Sequence, residues 1–294
     1  MNTNLLGITS ALICAMSWAI CSLLFKKLGN KLKAIEMATI KTVFSGIILL
    51  FIALLCRADL TIEINNLHIV GISSILGIAI GDSLFFASLS KLSPFMLSSI
   101  LFASPVILSA IFGFFFLNET LSVIALIAII ALLLGLSLLI FPIKDKNNTK
   151  TKFLGIILAL ASLIFTTYSM VLIKPILINH STLTITMYRM FFSALVLMVF
   201  CIATKKISTI QTAFKDKCYA LKLIGTILIA TLGGFWLSLV SIKHCKLAIA
   251  SSVMSLEPLF ALIYMILFYK YKAKLKEFVG IFIIITALLL LYLE

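Results

Sequence analysis

The sequence predicts an all-α, polytopic membrane protein with ten transmembrane helices arranged as two inverted five-helix repeats. Three observations carry that prediction. Of the 294 residues, 63% are hydrophobic and 12% are charged, whereas a soluble domain is nearer half apolar and a quarter charged. Apolar runs of about twenty residues, the length needed to cross a ~30 Å hydrocarbon core, recur between charged breaks. The second half of the chain also repeats polar landmarks of the first. The formal charge of +14 does not point to nucleic acid, because a nucleic-acid binder displays its charge on a water-facing surface. Here the lysines punctuate apolar runs, and ten spans leave no room for a sizeable extramembrane domain.

Taken in order, the runs lie near 4–25, 34–56, 68–90, 94–117, 120–142, 153–173, 182–204, 222–242, 247–269 and 276–293. The first is preceded by four residues without a positive charge, so it lacks the basic leader of a secretory signal and reads as a retained span. The third and fourth are separated by Lys91, Ser93 and Pro94, and the fourth and fifth only by Asn118-Glu119. Each run is expected to be helical, because backbone exposed to lipid must satisfy its hydrogen bonds internally. The six cysteines, Cys14, Cys21, Cys56, Cys201, Cys218 and Cys245, form no CxxC pair and no Cys/His cluster. Neither a disulfide framework nor a zinc site is expected.

Orientation follows from the basic residues. Eighteen fall in loops after odd-numbered spans, and only Arg57, Lys174, Lys243 and Lys246 fall on the opposite face. The positive-inside rule puts the lysine-rich face in the cytoplasm and both termini outside. Lys41 and Arg189 are the two exceptions and lie within spans. The repeat is legible at a shift that lays Gly7, Ala11 and Lys26 on Gly155, Ala159 and Lys174, and Lys41 on Arg189. A slightly longer shift lays Gly81, Ser88, Ser98, Ser99 and Pro105 on Gly234, Ser241, Ser251, Ser252 and Pro258. The halves are read as 1–142 and 153–294, with a cytoplasmic linker at 143–152. Five helices per half make the second copy inverted, which places a binding site near mid-membrane at the interface of the repeats.

The end of span 4, Ser104-Pro105 through Phe115-Phe-Leu-Asn-Glu119-Thr-Leu, and Leu256-Glu257-Pro258-Leu-Phe-Ala261 in span 9 resemble the EamA branch of the drug/metabolite transporter superfamily. The basic residues Lys41 and Arg189 fit the same pattern, and the resemblance covers essentially the whole chain. It implies a transporter of small organic solutes, frequently an exporter of amino acids or related metabolites. Two departures stand out: Lys272 occupies the place that corresponds to Glu119 in the second half, and Ser104 stands where the second half has Glu257.

Charged side chains within spans are costly and face a cavity, a partner or the interface. The candidate substrate- or ion-binding residues are therefore Glu257, Asp82, Arg189, Lys41 and Tyr188. Glu257 precedes Pro258, which leaves a backbone carbonyl without its helical partner. Its carboxylate binds an amino group or a proton, or else fixes helix packing. Asp82, after Gly81 in span 3, either contacts substrate, marks a kink, or pairs with Lys41 or Arg189. The planar fork of Arg189 suits a carboxylate or a structural pairing, and Lys41 shares that ambiguity. Pro105, Pro258 and Glu119 are expected to be structural. Ser98, Ser99, Ser251, Ser252, Trp18 and Trp236 are further candidates for the cavity wall, whereas Glu36, His68 and His180 read as interfacial and His244, in the Lys243-His-Cys-Lys246 link, as a surface residue rather than a proton relay.

Enzyme readings find no support: the chain has no GxSxG elbow, no HExxH and no nucleotide-binding motif. Ala79-Ile-Gly81-Asp82 departs from the aspartyl-protease GxGD box at Ala79, and the other aspartates, Asp59, Asp145 and Asp216, fall in loops. The expectation is a secondary transporter of the bacterial inner membrane, without a cofactor, working on a small organic solute with a coupling proton or an exchanged solute. It would act as a monomer or homodimer in the lipid bilayer. A non-transporting sensor or assembly module is the alternative, and a channel is disfavoured because the spans lack rings of like charge.

Overall fold

The apolar runs fold as helices throughout the residues described by the computed structural model, which are 3–92, 97, 103–139, 149–269 and 275–292. Ser98, Ser99, Lys272 and most of the expected linker lie outside the described residues. In chain order the helices are α1 (Thr3–Leu28), α2 (Ala34–Leu55), α3 (Ile64–Lys91), α4 (Ser104–Leu117), α5 (Val123–Leu139), α6 (Thr149–Leu177) and α7 (Thr182–Ala203). They continue with α8 (Lys217–His244), α9 in two pieces (Leu247–Met254 and Glu257–Tyr269) and α10 (Leu275–Tyr292). Seven candidate membrane spans are long and apolar enough to cross: α1, α2, α3, α6, α7, α8 and α9 over Leu247–Tyr264; α4 and α5 are shorter apolar helices.

Several boundaries differ from the sequence reading for local reasons. Asp216 caps α8 by accepting the Tyr219 N–H at 3.1 Å, so that helix starts five residues before Lys222, and a short helix, Ile207–Phe214, fills part of the preceding loop. α9 breaks at Ser255-Leu256, just ahead of Pro258, whose missing N–H and bulky ring disfavour a continuous helix. α4 ends on Asn118, which takes the left-handed conformation at φ 54° that asparagine tolerates better than most residues. Glu36, near the helix end, is buried in the first turn of α2, and its carboxylate accepts the Lys33 N–H at 2.8 Å.

The sequence repeat becomes a structural one. α8 has 28 residues and so spans about 42 Å at 1.5 Å per residue, which separates its two ends onto opposite faces of the bundle. The C-terminal end of α1 meets the start of α8: Tyr219 donates to Leu28 O at 2.8 Å, and Lys31 pairs with Asp216 at 2.7 Å. The C-terminal end of α6 meets the other end of α8, where Lys174 donates to Cys245 O at 2.6 Å. Helices equivalent in sequence therefore run in opposite directions. The helix contacts obey the same exchange: α1 packs on α8 as α6 packs on α3, and α1 packs on α9 as α6 packs on α4, while α2–α7 and α5–α10 are each paired across the halves. At the α5–α10 crossing Gly135 and Gly280 face each other. A Cβ at Gly280 would lie 2.7 Å from Gly135 O, and one at Gly135 would lie 2.9 Å from Gly280 O. Small residues permit such backbone contact in membranes.

Candidate functional site

Each third helix of a half carries a π-helical segment, Ile75–Ile80 in α3 and Ala230–Trp236 in α8. Such segments release backbone carbonyls from the regular ladder and are common at functional sites. The opposite half takes up the released or neighbouring carbonyls. Ser162 donates to Gly81 O at 2.7 Å, and its equivalent Cys14 donates to Gly234 O at 3.3 Å. Ser169 donates to Ser73 O at 2.7 Å, and its equivalent Cys21 donates to Thr226 O at 3.6 Å. The glycines allow the approach: a Cβ on Gly77 would sit 2.5 Å from Ser169 Cβ, and one on Gly233 would sit 2.7 Å from Ser17 Cβ.

Between these crossings lies a cavity of about 220 Å³. α1, α3 and α4 of the first half and α6, α8 and α9 of the second contribute to its wall. Glu257 and Asp82 supply the carboxylates, and Pro105 and Pro258 shape the wall where α4 and α9 begin their long segments. Trp18 packs edge-on against Phe85 and Phe235 at centroid distances of 6.0 and 5.2 Å. Glu257 Oε1 accepts a hydrogen bond from Ser22 Oγ at 2.9 Å, and none of the ion pairs among the described residues includes it.

Lys41, Arg189 and Tyr188 do not line this cavity. Lys41 is buried behind the wall, where it pairs with Asp82 and places its ammonium 4.0 Å from the centroid of the Phe235 ring. Arg189, also buried, donates through Nη2 to Ser169 Oγ at 2.6 Å and lies 3.8 Å from Met170 Sδ through Nη1. A buried cation needs such partners because transfer from water is expensive. Tyr188 bonds Leu60 O at 3.1 Å, near the end of the bundle away from Lys31. At that same end Glu119 pairs with Lys174 and accepts the Leu247 N–H at 2.7 Å, joining α4, α6 and α9. Of the other candidates, Ser251 faces the cavity, whereas Ser252 bonds Ala248 O within its own helix and Trp236 donates to Thr182 Oγ1.

Sequence reasoning missed most of the α6 wall. Ser162 and Thr166 stand at helical i, i+4 spacing, with Met170 one turn further on, and that pair of hydroxyls on a largely apolar helix was the available signal. Ser22, the partner of Glu257, carried none.

Comparison with known proteins fits this architecture. The model of the EamA-like transporter family matches residues 5–141 and again residues 153–293. Among solved structures, one described only as "Crystal structure of protein" superposes with a TM-score of 0.70 at 13% identity, covering 98% of this chain and 94% of that one. At that identity the likeness speaks to the fold. A search of curated proteins returns no match. With two copies of the family's repeat spanning nearly its whole length, the chain belongs to the EamA-like transporter family of the drug/metabolite transporter superfamily.

Proposed function

We propose that this protein is a secondary transporter that moves a small organic solute outward across the bacterial inner membrane by alternating access. The observation that carries the reading is the position of the cavity: it lies between the two inverted halves, with three helices of each in its wall. Such an interface can open to either side as one half rocks against the other. The reading takes ten membrane crossings, with α4, α5 and α10 completing the seven longer spans, and divides the chain at 143–152. It puts the lysine-rich end in the cytoplasm and the end holding Glu119, Lys174 and both termini outside. A proton or solute gradient would drive transport, with Glu257 as the group in the wall able to take up a cation or proton. Monomers or homodimers are both compatible with it.

The test is solute movement by purified protein in oriented proteoliposomes. Counterflow of an amino acid, an amine or a related metabolite that is absent from protein-free vesicles supports the proposal, and Glu257→Gln is expected to lower the rate by tenfold or more. A preparation that retains its fold, yet moves none of a broad panel of such solutes in either direction, overturns it.

A further inference from the structure

The chemistry of the cavity wall selects a class of solute. Among the described residues the wall contains no lysine, arginine, histidine, asparagine or glutamine side chain. The two nearby cations lie behind the wall: Lys41 pairs with Asp82, and Arg189 donates through Nη2 to Ser169 while its buried Nε has no hydrogen-bond partner among the described residues. Four of the wall's hydroxyl hydrogens are committed to backbone carbonyls. Ser162 donates to Gly81 O, Thr166 to carbonyls of its own helix, Ser238 to Phe235 O, and Ser255 to Ser252 O at 2.8 Å. What else faces the space are the Thr167 hydroxyl, the paired hydroxyls of Ser109 and Ser251, the carboxylate of Glu257, and the rings of Trp18 and Phe85. A hydroxyl whose hydrogen is engaged still accepts, and an aromatic face attracts a cation. A carboxylate entering this wall would meet neutral hydroxyls but no cationic side chain among the described lining residues, and burying it without a counter-charge is costly.

We propose that the cavity takes a small organic ammonium ion with an apolar body and no carboxylate, its ammonium held by Glu257 and the ring of Trp18. Free amino acids are discriminated against because their carboxylate has no cationic partner among the described residues of the wall. The inference rests on the cavity being the solute site of the proposed transporter.

The experiment measures calorimetric binding of three matched probes to purified protein in detergent: phenethylamine, phenylalanine and N-acetylphenethylamine. Phenethylamine is expected to bind at least tenfold tighter than the other two. Glu257→Gln, which keeps an oxygen to accept the Ser22 hydroxyl, is expected to erase that preference with an unchanged unfolding temperature. A Trp18→Leu variant should weaken the amine several-fold while leaving the neutral amide unaffected. The proposal is overturned if phenylalanine binds as tightly as the amine, if the Gln variant keeps the preference, or if none of the probes binds. Flux assays on the same preparation separate the two readings. An amine that binds but is not moved removes the transport reading and leaves the site assignment standing; flux of phenylalanine in preference to the amine does the reverse.

Discussion

The two halves match in how they hold each other and differ in what they present to the cavity. Within each half, Lys26 donates to Leu92 O at 2.9 Å and its equivalent Lys174 to Cys245 O at 2.6 Å, and the residues so held meet the opposite half. Gly155 receives Leu92, and Gly7 receives Cys245, in the same close contact. Within the wall the equivalence ends. Asp82 of the first half corresponds to Phe235 of the second, and Glu257 of the second to Ser104 of the first. Even the frame has one lapse: Ser88 donates to Gly155 O at 2.8 Å, while the buried hydroxyl of Ser241 lacks a partner. Backbone-to-side-chain bonds tolerate exchange of serine for cysteine because both supply a short donor. Charges tolerate no such exchange, since each must find its own compensation in an apolar medium.

The largest effect is expected where this asymmetry is sharpest. Asp82→Asn leaves the Lys41 ammonium buried without its counter-charge, and loss of one partner of such a pair costs about 3 kcal/mol or more. Thermal unfolding in detergent should show a clear loss, and the double change Lys41→Met with Asp82→Leu should recover most of it. An Asp82→Asn protein as stable as the parent would mean that the pair is not what neutralises Lys41. The symmetric frame can be probed next. Gly77→Ala pushes a methyl group into Ser169 and is expected to cost about 1–3 kcal/mol, whereas Gly71→Ala meets open space and should be neutral or slightly stabilising. Equal behaviour of the two would remove the close α3–α6 approach from the account.

A third comparison sets the two lysine ties against each other. Lys174 joins α6 to both Glu119 and Cys245 O, while Lys26 donates to Leu92 O at the opposite end of the bundle, far from Cys245. Lys174→Met, in a Cys56→Ser background, should therefore raise the rate at which an impermeant maleimide modifies Cys245 several-fold. Lys26→Met should leave that rate unchanged, and a similar rise in both variants would show that the ties act together. The smallest effect is at the other end of the bundle. The Lys31 ammonium and then the Tyr219 N–H hold the Asp216 carboxyl below the usual carboxylate range. A lowered acid stabilises the fold above its ordinary value and loses that contribution as the pH falls through it. Acid unfolding of Asp216→Asn should be slightly less steep between about pH 5 and 3, a difference lost in high salt because the pair is exposed.

Much of the architecture could be read from residue order alone. Runs such as those of α1, α2 and α7 were legible because a lipid-spanning segment must be apolar and helical along its whole length. Lys26 and Lys174, Gly7 and Gly155, Lys41 and Arg189 revealed the repeat because polar and small residues are rare enough in apolar helices for a match to carry information. Glu257, Asp82 and both prolines were also found, since a charge or a proline inside a span stands out. Local order could not say which way a charge faces. Lys41 and Arg189 looked like cavity residues for the same reason that Glu257 did, and only packing of α2 against α7 and α3 turned them toward Asp82 and Ser169. The π-helical segments were equally out of reach, because they depend on carbonyls being received by a helix more than eighty residues distant in the chain, as when Ser162 meets Gly81. Composition and periodicity thus determined the helices, their repeat and the class of protein. Tertiary structure alone decided the charge pairing, and through it a described wall that carries carboxylates but no cationic side chain, because compensation between buried charges is a property of distance in space and not of position along the chain.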